Sequence, residues 1–336
     1  MKQTLLVITL FLSAISLAVA WWVWNDMQNE LTSPVNISGP VSFEIKNGTS
    51  LQAVAVKLHK QGIIKQPYYL VFEARREGTA GMIKAGEYLL QPGKTPRQLL
   101  QQFISGDVRQ YALTLVEGWT VRDMLAVVEE DSVLEQSLQH VAVENLMMEL
   151  GYPGLSPEGQ FFPDTYHFPR GTTDIAFLKR AHTALQRVLE EEWQARDDNL
   201  PYQSPYEALI LASIIEKETG VPEERAQIAG VFVRRLQRGM RLQTDPTVIY
   251  AMQESFDGNI RSKDLQIDSP YNTYLYAGLP PTPIALAGRE SIQAALHPAD
   301  GKALYFVAKG DGSHHFSKTL EEHNRAVAKY QLDKEQ

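Results

Sequence analysis

The chain has 336 residues, enough for two domains of ordinary size, and its 44% hydrophobic and 21% charged residues are typical of a globular protein. The formal net charge of −8, without any basic run, argues against nucleic acid as a partner. Because the chain contains no cysteine, disulfides, zinc–thiolate sites and thiol nucleophiles are excluded.

The N-terminal segment is long and apolar enough to cross a membrane. Residues 5–24 (LLVITLFLSAISLAVAWWVW) carry no charge, and a helix of this length spans about 30 Å of hydrocarbon. Lys2 before the segment and the acids after it predict a cytoplasmic N-terminus. The sequence Ala18-Val19-Ala20 also fits a signal-peptide cleavage site. We favour an uncleaved anchor over residues 1–25, since bulky tryptophans follow that site; either interpretation exports the rest of the chain.

Residues 26–38 are polar and contain Ser33-Pro34, which predicts a linker. Beyond them, a strand-like run, a Gly-x-Ser/Thr turn and a helical pattern recur three times. In each repeat the glycine allows the turn, and the hydroxyl of Ser50, Thr95 or Thr120 is expected to cap the helix that follows. This pattern predicts an α+β fold.

The pattern between residues 120 and 199 is mostly helical. Residues 151–170 (GYPGLSPEGQFFPDTYHFPR) interrupt it, because glycine, proline and aromatic residues are too dense there for regular structure. Ordered loops of this length are often functional.

Residues 204–220 (SPYEALILASIIEKETG) predict a buried helix. Ser204 suits the N-cap, Glu207 completes an S-x-x-E capping box, and Gly220 suits the stop. Apolar side chains surround the axis almost completely, as expected of a helix inside a core.

Two glutamates, Glu216 and Glu218, lie in the last turn of this helix. They project about 200° apart and therefore do not serve one cleft together. The helix dipole and burial would both raise the pKa of a carboxyl here, which is how a general acid is prepared. The alternative is a helix end that emerges into solvent, with both glutamates on an exposed rim; the spacing does not decide between the two.

A second helix is predicted at 222–238, and a last one at 320–332. Residues 241–250, 269–284 and 297–299 are polar and loop-like. A short strand at 303–308 leads through Gly310-Asp311-Gly312 into residues 313–317, which is a hairpin signal.

The other common chemistries lack their motifs. His314 and His315 would point to opposite faces of a strand, and no H-E-x-x-H pattern surrounds them, so no metal site is expected. The sequence also lacks a G-x-S-x-G elbow and nucleotide-binding loops. A buried acid, loops rich in Tyr, Asn, Gln and Thr, and export together favour carboxylate catalysis on a glycan.

Seven segments resemble, in order along the chain, motifs of the endolytic murein transglycosylases, the MltG or YceG-like family. They are EGQFFPDTY (158–166), ASIIEKETG (212–220), LQTDPTVIY (242–250), YNTY (271–274), GLPPTPI (278–284), ALHPA (295–299) and HHFSKTLEEHN (314–324).

The resemblance implies a bacterial inner-membrane protein with a small LysM-like module at 39–107 and a larger periplasmic catalytic domain of mixed α+β structure at 108–336. It implies cleavage of nascent peptidoglycan strands between N-acetylmuramic acid and N-acetylglucosamine, without a cofactor. One glutamate acts first as acid and then as base, so that the muramyl C6 hydroxyl forms a 1,6-anhydro end. Peptidoglycan synthases are candidate partners.

The family's catalytic glutamate is the second of the E-K-E triplet, which is Glu218 here. Glu216 is then expected to have a supporting role. Candidates to line the cleft are Gln243, Thr244, Asp245, Tyr271, Asn272 and Tyr274. The alternative for these loop residues is local capping, since Asp and Asn are common turn residues.

Two other functions stay open at this point. One is a hydrolytic muramidase that uses water, with Asp245 as its second carboxylate. The other is a glycan-binding scaffold without catalysis, which would leave the buried acid unexplained.

Overall fold

The computed structural model describes residues 2–332, apart from the side chain of Glu254. The fold is mixed α+β, as the sequence predicts. It contains two compact units: one holds the residues up to 111 together with 168–171, and the other holds 112–167 and the residues from 172 onward.

The helices are α1 (Lys2–Thr32), α2 (Leu51–Lys60), α3 (Pro67–Arg76), α4 (Pro96–Ser105), α5 (Val121–Glu130), α6 (Leu146–Glu149), α7 (Asp174–Gln194), α8 (Pro205–Glu218), α9 (Pro222–Gln237), α10 (Asp245–Met252), α11 (Arg289–Leu296) and α12 (Leu320–Val327). The strands are β1 (Val41–Ile45), β2 (Gly86–Leu90), β3 (Gln110–Thr114), β4 (Thr165–Pro169), β5 (Tyr305–Ala308) and β6 (His314–Ser317). They pair as β1–β2, β3–β4 and β5–β6.

The first unit is built around the antiparallel pair β1–β2, with α2 and α3 between the two strands in sequence. Phe43 and Tyr88 lie opposite each other in this pair, and both are buried. The three predicted helix caps are confirmed: the hydroxyls of Ser50, Thr95 and Thr120 each accept a hydrogen bond from a backbone N–H three residues on. The hydroxyl-capped turn therefore decides where each helix begins.

Helix α1 is long and apolar enough to cross a membrane, and it continues beyond the apolar segment into the first unit. Residues 26–38, which the sequence predicts to be a linker, are helical as far as Thr32. Met27, Leu31 and Val35 are buried in the core of this unit. Met27 and Leu31, four residues apart, lie on one face of α1, and Val35 follows the end of the helix; their polar neighbours conceal this pattern in the sequence.

Replacing Leu31, which is 1% exposed, with alanine should destabilise the first unit by ~2–5 kcal/mol, because it leaves a cavity in a packed core. Thermal unfolding of the full-length chain in detergent measures the effect. Asn29→Ala is the matched control, since Asn29 is exposed on the same helix and should change stability by less than about 0.5 kcal/mol. Equal effects of the two substitutions would show that α1 does not pack in this core.

The second unit is organised around α8, which packs against α7, α9, α10 and α11. All of its residues from Ala208 to Ile215 are buried, so the predicted core helix is confirmed. The hydroxyl of Ser213 donates to the Ile210 carbonyl and accepts from the backbone N–H of Ile284. Helix α8 therefore presents its last residue from a rigid, fully packed element.

The ends of α8 differ in detail from expectation. Ser204 caps the helix, but the Glu207 carboxylate accepts from the backbone N–H of Gln203, so the reciprocal capping box does not form. The helix stops because Thr219 is extended (φ −146°, ψ 136°). The helix therefore ends where Gly220 predicts, but Gly220 has no positive φ and does not form a left-handed glycine cap.

Two regions that were expected to be irregular contain regular structure. Residues 245–252, most of which are predicted to be loop-like, form α10, because Pro246 in the first turn suits a helix start. Residues 165–169 of the long loop form β4. Conversely, the helical pattern after residue 120 breaks at Glu130, since the Asp131 carboxylate accepts from the backbone N–H groups of Val133 and Leu134.

The C-terminal hairpin is confirmed. β5 and β6 are antiparallel, with Phe306 opposite Phe316 and Ala308 opposite His314. Helix α12 follows and continues as a π-helical turn over Ala328–Leu332. Together with α8, α9 and the residues around 242–245, these elements surround a cavity at the end of α8.

Candidate active site

Glu218, the last residue of α8, lines a cavity of about 490 Å³. The wall is formed by the segment 242–245, by Tyr274, by Arg235 of α9, by the β5–β6 hairpin and by α12. Glu218 is partly buried, whereas its neighbour Lys217 is exposed. The alternative of a helix end exposed to solvent therefore holds for Lys217 but not for Glu218.

The surroundings of Glu218 favour its protonated form. Burial raises the pKa of this carboxyl to about 7, and the negative charge of Asp245 acts in the same direction. The Thr244 hydroxyl donates a hydrogen bond to Oε1 of Glu218, which opposes part of the shift. A carboxyl with a pKa near neutrality is suited both to giving and to taking a proton.

Thr244 is held in place by a neighbouring loop. Its backbone N–H donates to the Thr273 hydroxyl at 3.1 Å, and the N–H of Gln243 donates to the Thr273 carbonyl at 3.1 Å. Gln243 has a φ of 50°, a conformation that costs free energy in a residue other than glycine and is often found at functional sites. The chain is therefore strained where it turns Thr244 towards Glu218.

Asp245 and Tyr274 form the next part of the cavity wall. The Tyr274 hydroxyl donates to Oδ1 of Asp245 at 2.6 Å. Burial and the charges of Asp245 and Glu218 raise the pKa of Tyr274, so that this phenol remains a donor. A second carboxylate thus lies in the same cavity as Glu218, fixed by a tyrosine.

Tyr271 and Asn272 lie outside the cavity wall. Asn272 is 0% exposed; its amide donates to the carbonyls of Leu265 and Ile267, and its Oδ1 accepts from the N–H of Tyr274. The Tyr271 hydroxyl is 2.8 Å from that of Thr282. Both residues stabilise the loop that carries Tyr274. Their contacts therefore agree with the alternative of local capping and not with a place in the cavity wall.

Glu216 projects away from the cavity, as the 200° separation predicts. Its carboxylate accepts from the N–H of Gly288 at 2.9 Å, at the N-terminus of α11. Negative charge is favourable at a helix N-terminus. A side chain at Gly288 would meet the Glu117 carboxyl at 1.9 Å from its Cβ, so this junction is tightly packed.

Several residues that line the same cavity are not predicted from the sequence. They are Arg235, Tyr305, His323 and Asn324, from helices and a strand remote from Glu218 in sequence. The only signal was the HHFSKTLEEHN segment, whose last two residues are His323 and Asn324.

Glu158 is a second buried acid, which the sequence does not identify as a candidate site residue. It is 4% exposed and lines a separate cavity of about 570 Å³. Burial raises its pKa to about 7, although it accepts hydrogen bonds from the N–H of Val121 and the hydroxyl of Tyr250. Its carboxylate caps the N-terminus of α5 and is linked to α10.

Metal ligands do not cluster in the described part of the chain. Nδ1 of His314 is 2.7 Å from Oε2 of Glu224, and Oε1 of the same carboxylate accepts from the His314 backbone N–H. Within residues 2–332, no three His, Asp or Glu side chains are arranged to hold a metal ion.

Comparison with known proteins agrees with the motifs. The YceG-like family matches residues 43–329 of the chain. A Bacillus subtilis protein named endolytic murein transglycosylase is 34% identical over 312 residues, which cover 86% of this chain and 84% of the relative. A Streptococcus pneumoniae (strain D39) protein of the same name is 28% identical over 333 residues; the alignment covers 86% of this chain but 58% of that longer relative.

The crystal structure of a YceG-like protein from Listeria monocytogenes is similar in fold. It has a TM-score of 0.53 and 31% sequence identity, and the match covers 86% of this chain and 99% of that one. The family match extends from β1 through α12 and thus includes every residue of the cavity wall up to Val327. The chain therefore belongs to the YceG-like family.

Proposed function

We propose that the chain is a lytic transglycosylase that cleaves peptidoglycan strands internally, at the β-1,4 bond between N-acetylmuramic acid and N-acetylglucosamine. The observation that carries the proposal is Glu218, a partly buried carboxyl with a pKa of about 7 in a polar cavity. The relatives named endolytic murein transglycosylase support the substrate.

Glu218 acts twice in the proposed reaction. In the first step its proton passes to the glycosidic oxygen while the bond from this oxygen to C1 of the muramyl sugar breaks, so that the N-acetylglucosamine end leaves as an alcohol. Positive charge develops at C1. In the second step the Glu218 carboxylate takes the proton of the muramyl C6 hydroxyl as this oxygen bonds to C1, which closes the 1,6-anhydro ring and restores the acid.

The neighbours of Glu218 fit these two steps. The Thr244 hydroxyl stabilises the carboxylate that exists between them. The negative charge of Asp245, oriented by Tyr274, favours the positive charge at C1 in the transition state. The family's nucleophile belongs to the substrate, so a second carboxylate is not needed to activate water.

A hydrolytic muramidase is the second candidate, and the position of Asp245 in the same cavity favours it. In that case Asp245 would activate a water molecule. The two reactions differ in the new muramyl end, which is a 1,6-anhydro ring in one case and a free reducing sugar in the other.

Mass spectrometry of digested glycan strands distinguishes the two candidates. With the full-length chain in detergent, we expect new ends that are lighter by one water and resist borohydride reduction. Reducible ends would replace the proposal by the muramidase. Absence of product at every protein concentration would favour a non-catalytic glycan-binding scaffold.

The remaining assignments follow from the same proposal. The apolar α1 supports a single-pass anchor in the inner membrane, with the N-terminus in the cytoplasm and the catalytic domain (108–336) in the periplasm. The β-α-α-β order of the first unit supports a LysM-like, glycan-binding module at 39–107. An enzyme so placed would trim or terminate strands beside the peptidoglycan synthases.

A further inference from the structure

The cavity that contains Glu218 also contains a buried cation without an anionic partner. Arg235 is 7% exposed. Its Nε donates to the Leu304 carbonyl at 2.6 Å, and its Nη1 donates to the Leu242 carbonyl at 2.8 Å. Among the described residues, no carboxylate forms an ion pair with this guanidinium. Burying an unpaired charge costs free energy, so the arrangement calls for a reason.

The two carboxylates of the cavity do not supply the missing charge. Asp245 is bound by the Tyr274 hydroxyl, and Glu218 is bound by the Thr244 hydroxyl. Burial and Asp245 raise the pKa of Glu218, and no nearby cation lowers it. The charge of Arg235 acts on Tyr274, which binds Asp245, but neither acid forms an ion pair with the guanidinium.

The side chains of Tyr305 and His323 lie beside Arg235 in the wall of this cavity. The Arg235 guanidinium lies 5.0 Å from the centre of the Tyr305 ring. The imidazole of His323 stacks on the same ring, with centroids 5.3 Å apart and planes 25° apart. Nδ1 of His323 is buried and has no hydrogen-bond partner among the described residues. Burial and the charge of Arg235 lower the pKa of His323, which favours the neutral ring.

A purely structural role explains only part of this cluster. Through Nε and Nη1, Arg235 ties α9 to the carbonyls of Leu304, Arg241 and Leu242 and to the side-chain oxygen of Gln243. The Nη2 group of Arg235 donates to no described residue and is open to the cavity. Nδ1 of His323 is enclosed, so His323 meets a ligand in the cavity through Nε2. Free N–H groups of a guanidinium at a cavity wall match a carboxylate.

We propose that Arg235 and His323 bind a carboxylate of the stem peptide that the muramyl sugar carries, while the glycosidic oxygen lies at Glu218. The inference rests on the proposed function, since the stem peptide belongs to that substrate. The sugar backbone of the strand is neutral, so the carboxylates of its peptides are the anions that the cavity meets. Arg235 thereby selects strands whose stems are anionic.

The test compares two substrates that differ in charge alone. Glycan strands with intact stems are treated with carbodiimide and ammonia, which converts the stem carboxylates into neutral amides. For the full-length wild type, kcat/KM should fall about 10- to 100-fold on the amidated strands, the range expected for a lost charge-assisted hydrogen bond. A wild type that cuts both substrates equally well overturns the inference.

Variants separate recognition from a structural role. Arg235→Lys and His323→Phe should lower kcat/KM on intact strands and bring the ratio between the two substrates towards one; phenylalanine keeps the stack on Tyr305. Arg234→Lys is the matched control, because Arg234 also donates to backbone carbonyls, those of Ala303 and Ala299, but lies outside the cavity wall. Its ratio should equal that of the wild type.

Each remaining outcome has a defined meaning. An equal loss on both substrates in both variants would assign Arg235 and His323 to structure and overturn the inference. If Arg235→Lys does not fold, the inference is still tested by His323→Phe and by the ratio of kcat/KM values that the wild type shows on intact and amidated strands. A wild type that cuts neither substrate contradicts the proposed function itself, which separates the two failures.

Discussion

Replacing Glu218 with glutamine should reduce strand cutting about a thousand-fold, the size of a typical general acid–base contribution. Glutamine keeps the shape of the side chain and an oxygen that accepts from Thr244, but it has no proton to give. Cutting is measured as new chain ends released from purified strands, and circular dichroism checks the fold.

Glu216→Gln is the matched control on the same helix. Glu216 binds the N–H of Gly288 and lies outside the cavity wall, so this variant should cut at a rate close to the wild type. Normal cutting by Glu218→Gln together with loss in Glu216→Gln would move the acid to Glu216.

Glu218→Gln should also change how the stability of the protein depends on pH. Folding raises the pKa of Glu218 from an ordinary 4.5 to about 7. The stability that this group contributes is therefore complete below about pH 4.5 and is lost as the pH rises through 7. Since glutamine does not ionise, Glu218→Gln should gain stability over the wild type between pH 5 and pH 8. If the unfolding temperatures of Glu218→Gln and the wild type differ by the same amount at pH 5 and at pH 8, the pKa of Glu218 is not raised.

The pH dependence of cutting is the second large effect that we expect. The first step needs protonated Glu218, so kcat/KM should fall about tenfold per pH unit above pH 7, following the pKa of about 7. Initial rates between pH 5 and pH 9 measure this limb. A rate that stays constant through pH 9 would contradict the assignment of Glu218 as the acid.

Asp245→Asn tests whether the charge of Asp245 sets the pH at which kcat/KM begins to fall. The charge of Asp245 raises the pKa of Glu218, so its removal should move the falling limb to lower pH while cutting persists below it. If Asp245 instead activates water in a muramidase, cutting should be lost at every pH. Tyr274→Phe is the companion variant, because it removes the hydrogen bond to Asp245 and leaves the charge.

Local patterns predicted much of the fold. The capping hydroxyls, the apolar surface of the helix that ends at Glu218 and the glycine-rich hairpin all follow from interactions between residues close in sequence. The errors arose where local signals were ambiguous. Asp245-Pro246 suits a turn as well as a helix start, and packing of α10 against α8 decides for the helix. The linker expected at 26–38 is replaced by buried contacts of Leu31.

Some features of the site also follow from the sequence, and others depend on the tertiary structure. Helical geometry separates Glu216 from Glu218, and the buried character of the helix predicts a raised pKa, both from the sequence alone. Only the tertiary structure shows which loop residues reach the cavity: Thr244 and Tyr274 line it, whereas Asn272 supports the loop.

Arg235 and His323 show why the residues that line a cavity are not predicted by local sequence patterns. Capping and periodicity act over a few residues and are visible in the order of side chains. A cavity is formed where α8, α9 and α12 meet, by segments up to about a hundred residues apart in the chain. Its charge balance depends on which partners each group finds there. The sequence therefore predicts an acid at the end of a buried helix, and only the folded chain places an unpaired cation in the same cavity.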